Sequence, residues 1–421
     1  MIFKSYKIWY PWVIWSLAAS FFFYKYLVQV SPSVMTEELM HTFQVNAAGL
    51  GNLSAFYFYA YLLMQIPVGM MLDRYSPRII TALAILLCSV STLGFAHTDH
   101  LWLACLMRAL MGAGAAFAAV SCFKFASMWF PAKRFAFITG LFMTAAMLGA
   151  VGGQMPLSQL VQSLGWREAL NAIGVIGIIF SVIYYLLVRD KPSSTCDMIS
   201  HECSIFKQLW NIVTNPQAII LSIYSGLAFA PVSVFGGLWG VPFLKVAYHL
   251  SRNDAAFAVS CVFIGFAAGA PFWGWLSDYI GRRKPVLLLG TASALICLWA
   301  VVGYHQWSYA TLILLLFVFG FGASGFFTCF AMIKEIFSML VVATVLGWMN
   351  TFDALCEALY EPLIGAVMDY TWTGEIVDGV RQYSLENYYI ALSLLVLSLG
   401  AALVMVFFIK ETYCQSVRTP S

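Results

Sequence analysis

Charged residues are scarce in this chain. Asp, Glu, Lys and Arg make up only 10% of the 421 residues, whereas 62% are apolar and the mean hydropathy is +0.84. A water-soluble domain carries about 25% charged residues, so this composition excludes an ordinary soluble protein. Apolar runs of about 20 residues recur along the chain, and each can cross a hydrocarbon core of about 30 Å as a helix. The composition therefore predicts an all-α integral membrane protein.

Several sequence features of enzymes are missing. There is no GxxxxGK[ST] nucleotide-binding loop, so we expect a gradient rather than ATP hydrolysis to supply energy. The ten cysteines are scattered without a CxxC pair or metal-ligand spacing, which is typical of small buried hydrophobes. The six histidines lie in predicted loops or at span ends, away from mid-membrane depth. We expect no enzyme activity, no cofactor and no metal, and a net charge of +3 is too small to indicate a nucleic-acid partner.

The apolar runs predict twelve spans in two groups of six. The first run contains Phe21 to Phe23 and Lys25 where a cleavable signal peptide would have small residues, so we interpret it as a retained span. A polar stretch from Arg189 to Asn215 separates the two groups and predicts a linker. The predicted domains are an N-terminal six-helix bundle over 1–189, a cytoplasmic linker over 190–215 and a C-terminal six-helix bundle over 216–421. The predicted spans are 9–30, 48–70, 79–97, 101–128, 135–159, 167–188, 216–244, 254–275, 284–304, 309–333, 341–369 and 387–410.

Lys and Arg residues are distributed unequally between the two sides of the predicted membrane. With the N-terminus in the cytoplasm, fourteen of the 22 Lys and Arg residues fall in inner loops and four in outer loops. Because positive residues resist translocation, this asymmetry predicts that both termini and the linker are cytoplasmic. We expect a multi-pass protein of the bacterial inner membrane that works as a monomer in the lipid bilayer.

Two charged turns occupy equivalent places in the two groups of spans. GMMLDRYSPR (Gly69 to Arg78) stands between spans two and three, and GWLSDYIGRR (Gly274 to Arg283) stands between spans eight and nine, with Asp73 and Asp278 205 residues apart. Repetition of a six-span unit indicates a transporter built from two parallel halves. We expect each Gly to let two helix ends approach, and each Asp to accept hydrogen bonds from a neighbouring helix N-terminus and pair with the following Arg, as a cytoplasmic latch. The candidate gating residues are Gly69, Asp73, Arg74, Arg78, Arg108, Gly274, Asp278, Arg282 and Arg283.

These turns resemble the loop motif GxxxD(R)xxGR(R/K) of the major facilitator superfamily. Ser76 stands where the family usually has Gly, and Tyr279 stands where an Arg is common. Arg108 begins an RxxxGxGxA stretch in span four, which is similar to a second motif of the superfamily. The resemblance covers the whole chain and implies the major facilitator fold, twelve transmembrane helices in two pseudo-symmetric six-helix bundles. In that fold spans one, four, seven and ten line a central cavity, and spans two, five, eight and eleven lie at the interface between the halves.

Four shorter stretches resemble a proteobacterial branch of the superfamily that includes intraphagosomal nutrient importers of the Pht type. Members of that branch are associated with amino acids and nucleosides, so this resemblance implies a small nutrient as substrate. The stretches are VSPSVM (Val30 to Met35), MQIPVGMMLDR (Met64 to Arg74), WFP (Trp129 to Pro131) and GWR (Gly165 to Arg167).

Span eleven carries a row of polar residues. Drawn at 100° per residue, its four polar side chains fall within about 80° of one another and share one narrow face. A charge in mid-span is costly unless it faces a cavity or a partner, so this face is a candidate binding site. Lys25 in span one lies at a similar depth, with Gln29 one turn further towards the periplasm. The span-eleven residues are Asn350, Asp353, Glu357 and Glu361.

Three interpretations of these charges remain open. A buried pair of Lys25 with a carboxylate could simply hold the two halves together. Alternatively, Lys25 binds a substrate carboxylate while Asp353 or Glu357 binds the substrate ammonium group, as a zwitterionic amino acid requires. In the third interpretation Glu357 or Asp353 carries a proton that is transported with the substrate, which is compatible with the second.

Other polar residues within spans are candidates for the cavity. Tyr57 and Tyr61 lie one turn apart on one face of span two. Lys124 near the cytoplasmic end of span four either lines the cavity or extends to the interface, and Tyr224 in span seven is a further candidate. Arg108 lies about 24 Å from Lys124 along the same helix, so the two cannot bind one small ligand. The motif around Arg108 favours an interhelical or proton-coupling role.

The leading hypothesis is import of a small polar organic nutrient, an amino acid, by alternating access with proton symport. The alternative is a nucleoside or organic-anion transporter, or multidrug or metabolite efflux by proton antiport. Drug exporters tend to have apolar cavities, and anion exchangers would need paired Arg residues. The span-eleven carboxylates would repel an anion, so the charges favour a zwitterion or a neutral polar solute.

Overall fold

The structure, a computed structural model, describes residues 9–130, 135–190, 212–304, 306–337, 342–374, 376–377 and 379–415. Within these ranges the helices form twelve rods, which we label α1 to α12 in chain order. Their bounds are α1 Tyr10–Val30, α2 Ala47–Arg74, α3 Pro77–His97, α4 Leu101–Ala115 continuing as Phe117–Trp129, α5 Phe135–Gly152 continuing as Met155–Leu164, α6 Trp166–Leu187, α7 Pro216–Tyr248, α8 Arg252–Ile280, α9 Lys284–Gly303, α10 Tyr309–Ile336, α11 Val342–Tyr370 and α12 Leu385–Phe408.

These twelve long helices confirm the predicted all-α membrane fold. Ten of them are long and apolar enough to cross a membrane. The other two are α2 and α11, of 28 and 29 residues, and α11 is the helix that carries the row of acids. Most of the predicted linker, residues 191–211, lies outside the described ranges, so the domain boundaries stay a prediction.

The two halves repeat one close helix contact. A Cβ placed on Gly112 of α4 would lie 1.9 Å from the carbonyl oxygen of Tyr57 on α2, and a Cβ on Gly320 of α10 would lie 1.9 Å from that of Val262 on α8. Only glycine fits where two helix backbones approach so closely. Helices four and two of the first half therefore pack as helices ten and eight of the second half do.

The halves are held together on one side of the molecule. We call the side where α6 and α12 end the linker side, and the opposite side, where α1 and α11 end, the distal side. On the distal side Glu37 and Glu38, in the short Thr36–Phe43 helix after α1, pair with Lys245 and Arg252 at 2.5 Å each. Within the membrane layer, α2 and α11 touch so closely that a Cβ on Gly365 would lie 2.2 Å from a backbone oxygen. These contacts close the distal side.

Helix α7 is interrupted where it meets the N-terminal half. Its middle segment, Phe235–Trp239, is π-helical and contains Gly236 and Gly237. The side chain of Gln154, which is fully buried, donates a 2.6 Å hydrogen bond to the carbonyl oxygen of Gly236. π-Helical turns are rare and often mark functional positions, because they displace the backbone of an otherwise regular helix. This turn lies directly on the closed distal contact between the halves.

A short hairpin between α11 and α12 also contributes to the distal contact. Its strands, β1 Ile376–Val377 and β2 Val380–Arg381, are antiparallel, with Ile376 opposite Arg381. Beyond the hairpin, the Tyr383 hydroxyl accepts the backbone N–H of Ala47 at 2.9 Å and donates to Asp369 at 2.5 Å. These bonds attach the start of α2 to the end of α11.

Candidate functional site

The α11 acids lie inside the protein. Asp353, Glu357 and Glu361 are 7%, 5% and 1% exposed, and they follow one another at one-turn intervals. Asn350, one turn before Asp353, is half-buried on the same helix. Three carboxyl groups buried in a row are expensive unless nearby groups compensate them, so their partners decide what the site can do.

Helix α7 provides serine partners for two of these acids. Ser225 donates a 2.6 Å hydrogen bond to a carboxylate oxygen of Asp353. Ser233, two turns later on α7, lies within hydrogen-bonding reach of Glu357. The sequence analysis missed both serines. The serines are eight residues apart whereas the two acids are four apart, so residue spacing gave no signal, and choosing α7 as the partner of α11 required the tertiary packing.

Lys25 lies in the opposite half and is 5% exposed. Its ammonium group donates to Gln29 at 2.5 Å, and the Gln29 amide donates to Ser233 at 3.5 Å. Lys25 also lies 3.7 Å from the ring centroid of Tyr26 and 5.1 Å from that of Tyr61, so two aromatic faces stabilise its charge. A chain of polar groups thus runs from Lys25 through Gln29 and Ser233 to Glu357 across the boundary between the halves.

Lys25 and Glu357 interact electrostatically, but they are bridged rather than paired. Both lie in the described part of the chain, and no ion pair joins them within 4.0 Å. One carboxylate oxygen of Glu357 is buried and has no hydrogen-bond partner among the described residues. A buried polar atom in this state calls for an explanation, and a bound ligand or a proton is one. The arrangement therefore leaves a cation on one side and an acceptor on the other with no direct bond between them.

A second charged group lies one turn further towards the distal side. Arg108 of α4 is 1% exposed, and its guanidinium group donates to the carbonyl oxygen of Val28 at 3.2 Å and to that of Gln29 at 3.5 Å. Arg108 also interacts electrostatically with Glu361, whose backbone oxygen accepts the indole N–H of Trp239 at 3.2 Å. Arg108 and Glu361 thus join helices α1, α4, α7 and α11 at the distal closure.

The remaining candidates divide into two groups. The rings of Tyr57 and Tyr61 stack at 6.4 Å, and Tyr57 also lies 5.1 Å from the guanidinium of Arg108. Both tyrosines therefore belong with Lys25, Arg108 and the α11 acids, a group that we call the charged cluster. Tyr224 does not: it is fully buried, and its hydroxyl shares a 2.8 Å hydrogen bond with Thr291 on α9. Lys124 is half-buried in the linker-side segment of α4, away from the residues that contact Lys25.

The charged turns differ from the expectation in one respect. Gly69 and Gly274 were expected to let helix ends approach, but a Cβ on either residue would meet nothing within 4 Å. The described residues therefore leave open space beside both glycines, and the expected close approach is not seen there. The side chain of Asp73 lies outside the described residues, and Arg74 is exposed at the end of α2.

The described contacts of the first turn lie within the N-terminal half. The backbone N–H of Arg78 donates to the Asp190 carboxylate at 3.1 Å, and the Ser76 hydroxyl donates to the same carboxylate. The Arg78 guanidinium donates to the carbonyl oxygen of Tyr185 at 2.7 Å and lies over its ring. Asp190, just beyond α6, therefore caps the N-terminus of α3.

Contacts of the second turn repeat this arrangement in the C-terminal half. Glu411, just beyond α12, accepts the backbone N–H groups of Arg283 at 2.8 Å and Lys284 at 3.0 Å, at the start of α9. The Arg283 guanidinium pairs with Asp278 at 2.5 Å and with Glu335 at 2.8 Å. In each half, the residue that caps the third helix thus comes from just beyond the sixth helix. The guanidinium group of Arg282, the other Arg of this turn, lies 5.9 Å from the ring centroid of Tyr413.

Two groups of this second turn have shifted pKa values. Burial alone would raise the pKa of the Glu411 carboxyl group, but hydrogen bonds from backbone N–H groups outweigh burial and hold this pKa below its ordinary value. Burial alone would lower the pKa of the Arg283 guanidinium, but Glu335 and Asp278 outweigh it and raise this pKa. Both shifts favour the charged forms, so the turn is stabilised as a network of ions.

Comparisons with known proteins agree with this architecture. A family model described as Major Facilitator Superfamily matches residues 14–241 and 221–420. An uncharacterized transporter of Bacillus subtilis (strain 168) is 28% identical over 291 residues, which cover 65% of this chain and 66% of that protein. A probable L-galactonate transporter of Escherichia coli (strain K12) is 23% identical over 395 residues, which cover 86% of this chain and 82% of that protein.

A solved structure has the same fold. The crystal structure of a bacterial homolog of the human lysosomal transporter Spinster superposes on this chain with a TM-score of 0.79 at 16% identity, and the match covers 96% of this chain and 97% of that one. The narrower resemblance to Pht-type importers stays a prediction. Because the family model matches the chain over almost its whole length, the chain belongs to the major facilitator superfamily and is a multi-pass membrane transporter rather than an enzyme.

Proposed function

We propose that this transporter imports a zwitterionic amino acid by alternating access, with a proton as the coupled ion. The single observation that carries the proposal is the bridged pair of Lys25 in one half and Glu357 in the other. The ammonium group of Lys25 has three N–H donors, of which one is bound to Gln29, so the others can bind a substrate carboxylate. The unpartnered oxygen of Glu357 offers an acceptor for a substrate ammonium group. Asp353, one turn away, adds a second negative charge beside that acceptor.

The position of this pair suits alternating access. A zwitterion bound between Lys25 and Glu357 would contact both halves at once, and its binding energy would favour the state in which they close around it. The same charges would make the empty site costly to bury, because each ion would then face a low-dielectric interior without a full partner. We propose that a proton bound by one of the α11 acids reduces this cost and couples transport to the proton gradient.

The direction of transport depends on the orientation of the chain. We propose that the linker side, where α1 begins and α12 ends, faces the cytoplasm of a bacterial inner membrane, as the distribution of Lys and Arg along the sequence predicts. The distal side then faces the periplasm, and the ion pairs of Glu37 with Lys245 and of Glu38 with Arg252 close the periplasmic entrance in the state described here. We propose that these pairs break when the entrance opens to admit the substrate.

A hydroxylated organic acid is the second candidate substrate, because one relative is named as a probable L-galactonate transporter. An anion would find Lys25 in the cluster, but it would also meet the negative charges of Asp353 and Glu357. Arg108, a second buried cation near Lys25, already donates to backbone oxygens of α1. The charge balance therefore favours the amino acid, and the test includes the sugar acid.

The experiment is uptake into proteoliposomes with and without an inward proton gradient. Labelled amino acids, uridine and galactonate are compared, and we expect gradient-stimulated accumulation of an amino acid. Glu357→Gln should retain exchange of substrate across the membrane and lose accumulation driven by the gradient. Tyr224→Phe, a conservative change at a buried residue outside the cluster, is the matched control and should accumulate normally. Uptake of galactonate but of no amino acid would contradict the proposed substrate. Uptake that does not respond to the proton gradient would contradict the proposed proton coupling.

A further inference from the structure

An aromatic surface lies beside the α11 carboxylates. Phe229 occupies the turn of α7 between Ser225 and Ser233, which contact Asp353 and Glu357 respectively. Residues four apart on a helix are neighbours on one face, so Phe229 lies on the same face of α7 as both serines. Phe229 is half-buried, whereas the two serines are almost completely buried.

Helix α10 extends this surface. The ring of Phe229 stacks on that of Phe326 at 5.1 Å with an interplanar angle of 16°. Phe326 in turn contacts Phe327 at 4.5 Å and Phe330 at 5.9 Å. Phe327 and Phe330 are also half-buried, so part of each ring is not covered by the protein. We call Phe229, Phe326, Phe327 and Phe330 the phenyl wall.

Helix α10, like α7, connects the phenyl wall to the charged cluster. Cys329, between Phe327 and Phe330 in sequence, lies within hydrogen-bonding reach of Ser225 and interacts electrostatically with Asp353. The phenyl wall therefore adjoins the carboxylates through two helices of the C-terminal half, α7 and α10. The N-terminal half supplies Lys25 and the tyrosines around it. The C-terminal half supplies the carboxylates and, beside them, the phenyl wall.

We infer that the transporter selects neutral amino acids with a large apolar or aromatic side chain, which packs on the phenyl wall. The inference rests on the proposed function, since it assumes that the ammonium group binds at Asp353 and Glu357 and the carboxylate at Lys25. A side chain that leaves the α-carbon beside the two acids meets Phe229 first. Aromatic and large aliphatic side chains gain contact area and favourable ring geometry there, whereas charged side chains would lose hydration without a partner.

Competition experiments test the inference on the purified transporter in proteoliposomes. Labelled phenylalanine is competed with leucine, alanine, glycine, serine, glutamate and lysine. We expect phenylalanine and leucine to bind at least tenfold more tightly than alanine and glycine, and glutamate and lysine to compete weakly. Equal competition by glycine or serine would overturn the inference while leaving the proposed function intact. If no amino acid binds or is taken up, the proposed function itself is contradicted.

Variants of Phe229 locate the selectivity. Phe229→Ala should weaken phenylalanine binding at least tenfold and change alanine binding less than twofold. Phe229→Leu keeps most of the volume, and should retain leucine binding while phenylalanine binding weakens severalfold; it also serves if the alanine variant does not fold. Phe272→Ala on α8 is the matched control, because Phe272 is 40% exposed and contacts Phe321 at 5.2 Å rather than the wall. An equal loss for all substrates in both Phe229 variants would show that Phe229 only supports the fold, and would overturn the inference.

Discussion

The close contact between α2 and α11 gives a direct test of how the distal side closes. A Cβ on Gly51 would lie 2.4 Å from the carbonyl oxygen of Glu361, and a Cβ on Gly365 would lie 2.2 Å from that of Ala47. An ordinary contact begins at 3.4 Å, so Gly51→Ala and Gly365→Ala would each push the helices apart by about 1 Å. Since the obstructing atoms belong to the backbone, no side chain can move aside to remove the clash.

The size of the effect follows from the cost of overpacking. Inserting a methyl group into a closely packed contact costs about 1–3 kcal/mol. Under the proposed alternating access this cost arises only in the distal-closed state, because α2 and α11 belong to different halves and would separate on the distal side when it opens. The ratio of distal-open to distal-closed molecules should therefore rise by about 5-fold to 150-fold.

Spin-label distance measurements can detect this change. Labels at His100, in the loop before α4, and at Thr373, in the loop after α11, are both exposed and lie in different halves on the distal side. The labels are introduced in a background without the ten native cysteines. In Gly51→Ala and Gly365→Ala, the distance distribution should shift from a shorter to a longer population.

Two control variants separate opening from general destabilisation. Gly112→Ala creates a clash with the Tyr57 backbone oxygen at 1.9 Å, closer than the other two but within the N-terminal half, so it should lower thermal stability without changing the distance distribution. Gly69→Ala on α2 meets nothing within 4 Å and should change neither. The reasoning is refuted if Gly365→Ala leaves the distances of the starting protein unchanged while its transport and stability are also unchanged.

Three further predictions concern residues outside the central cluster. Removing the distal ion pair by Glu38→Gln or Arg252→Gln should favour the open state by about 0.2–1 kcal/mol, because both side chains are partly exposed; exchanging the two residues should restore the original distances. Because its pKa is lowered in the folded state, Glu411 stabilises the fold above its ordinary pKa of 4.5 and loses this effect as pH falls further, so Glu411→Gln should flatten the dependence of melting temperature on pH in that acidic range. A melting curve of the variant as steep in acid as that of the parent would contradict this. Tyr224→Phe should lose about 0.5–1.5 kcal/mol of stability by leaving Thr291 unbonded, with normal uptake; impaired uptake at unchanged stability would place Tyr224 in the transport pathway.

Much of the fold could be predicted because the membrane restricts the choices. A chain in a hydrocarbon layer must satisfy its backbone hydrogen bonds internally, so every long apolar run becomes a helix. The observed bounds of α3, Pro77–His97, differ from the predicted 79–97 by two residues, and those of α6 and α9 differ by one. The largest differences, four or five residues, are at the ends of α2, α5, α7 and α8, and α2 and α8 continue into the charged turns to Arg74 and Ile280 because those turns lie outside the apolar layer.

The candidate site was predictable only in part. The common face of Asp353, Glu357 and Glu361 follows from helical geometry, because all three are on one rigid helix. The aromatic neighbours of Lys25 could not be inferred in the same way, since Tyr61 belongs to α2 and reaches Lys25 only through helix packing. Tyr224 shows the converse, because its span and depth suited a cavity residue but the rotation of α7 turns its ring towards α9.

The sequence by itself determined the helices, the repeat of the charged turns and which charges are placed within the membrane. These properties depend on the hydrophobicity and spacing of residues along single helices. Tertiary structure alone decided which groups meet: that Ser225 and Ser233 contact the α11 acids, that Gln29 and Ser233 bridge Lys25 to Glu357, and that Asp190 and Glu411 cap the third helix of each half. The physical reason is that such contacts depend on the rotation and crossing of helices distant in sequence, and these are set by the packing of all their faces together.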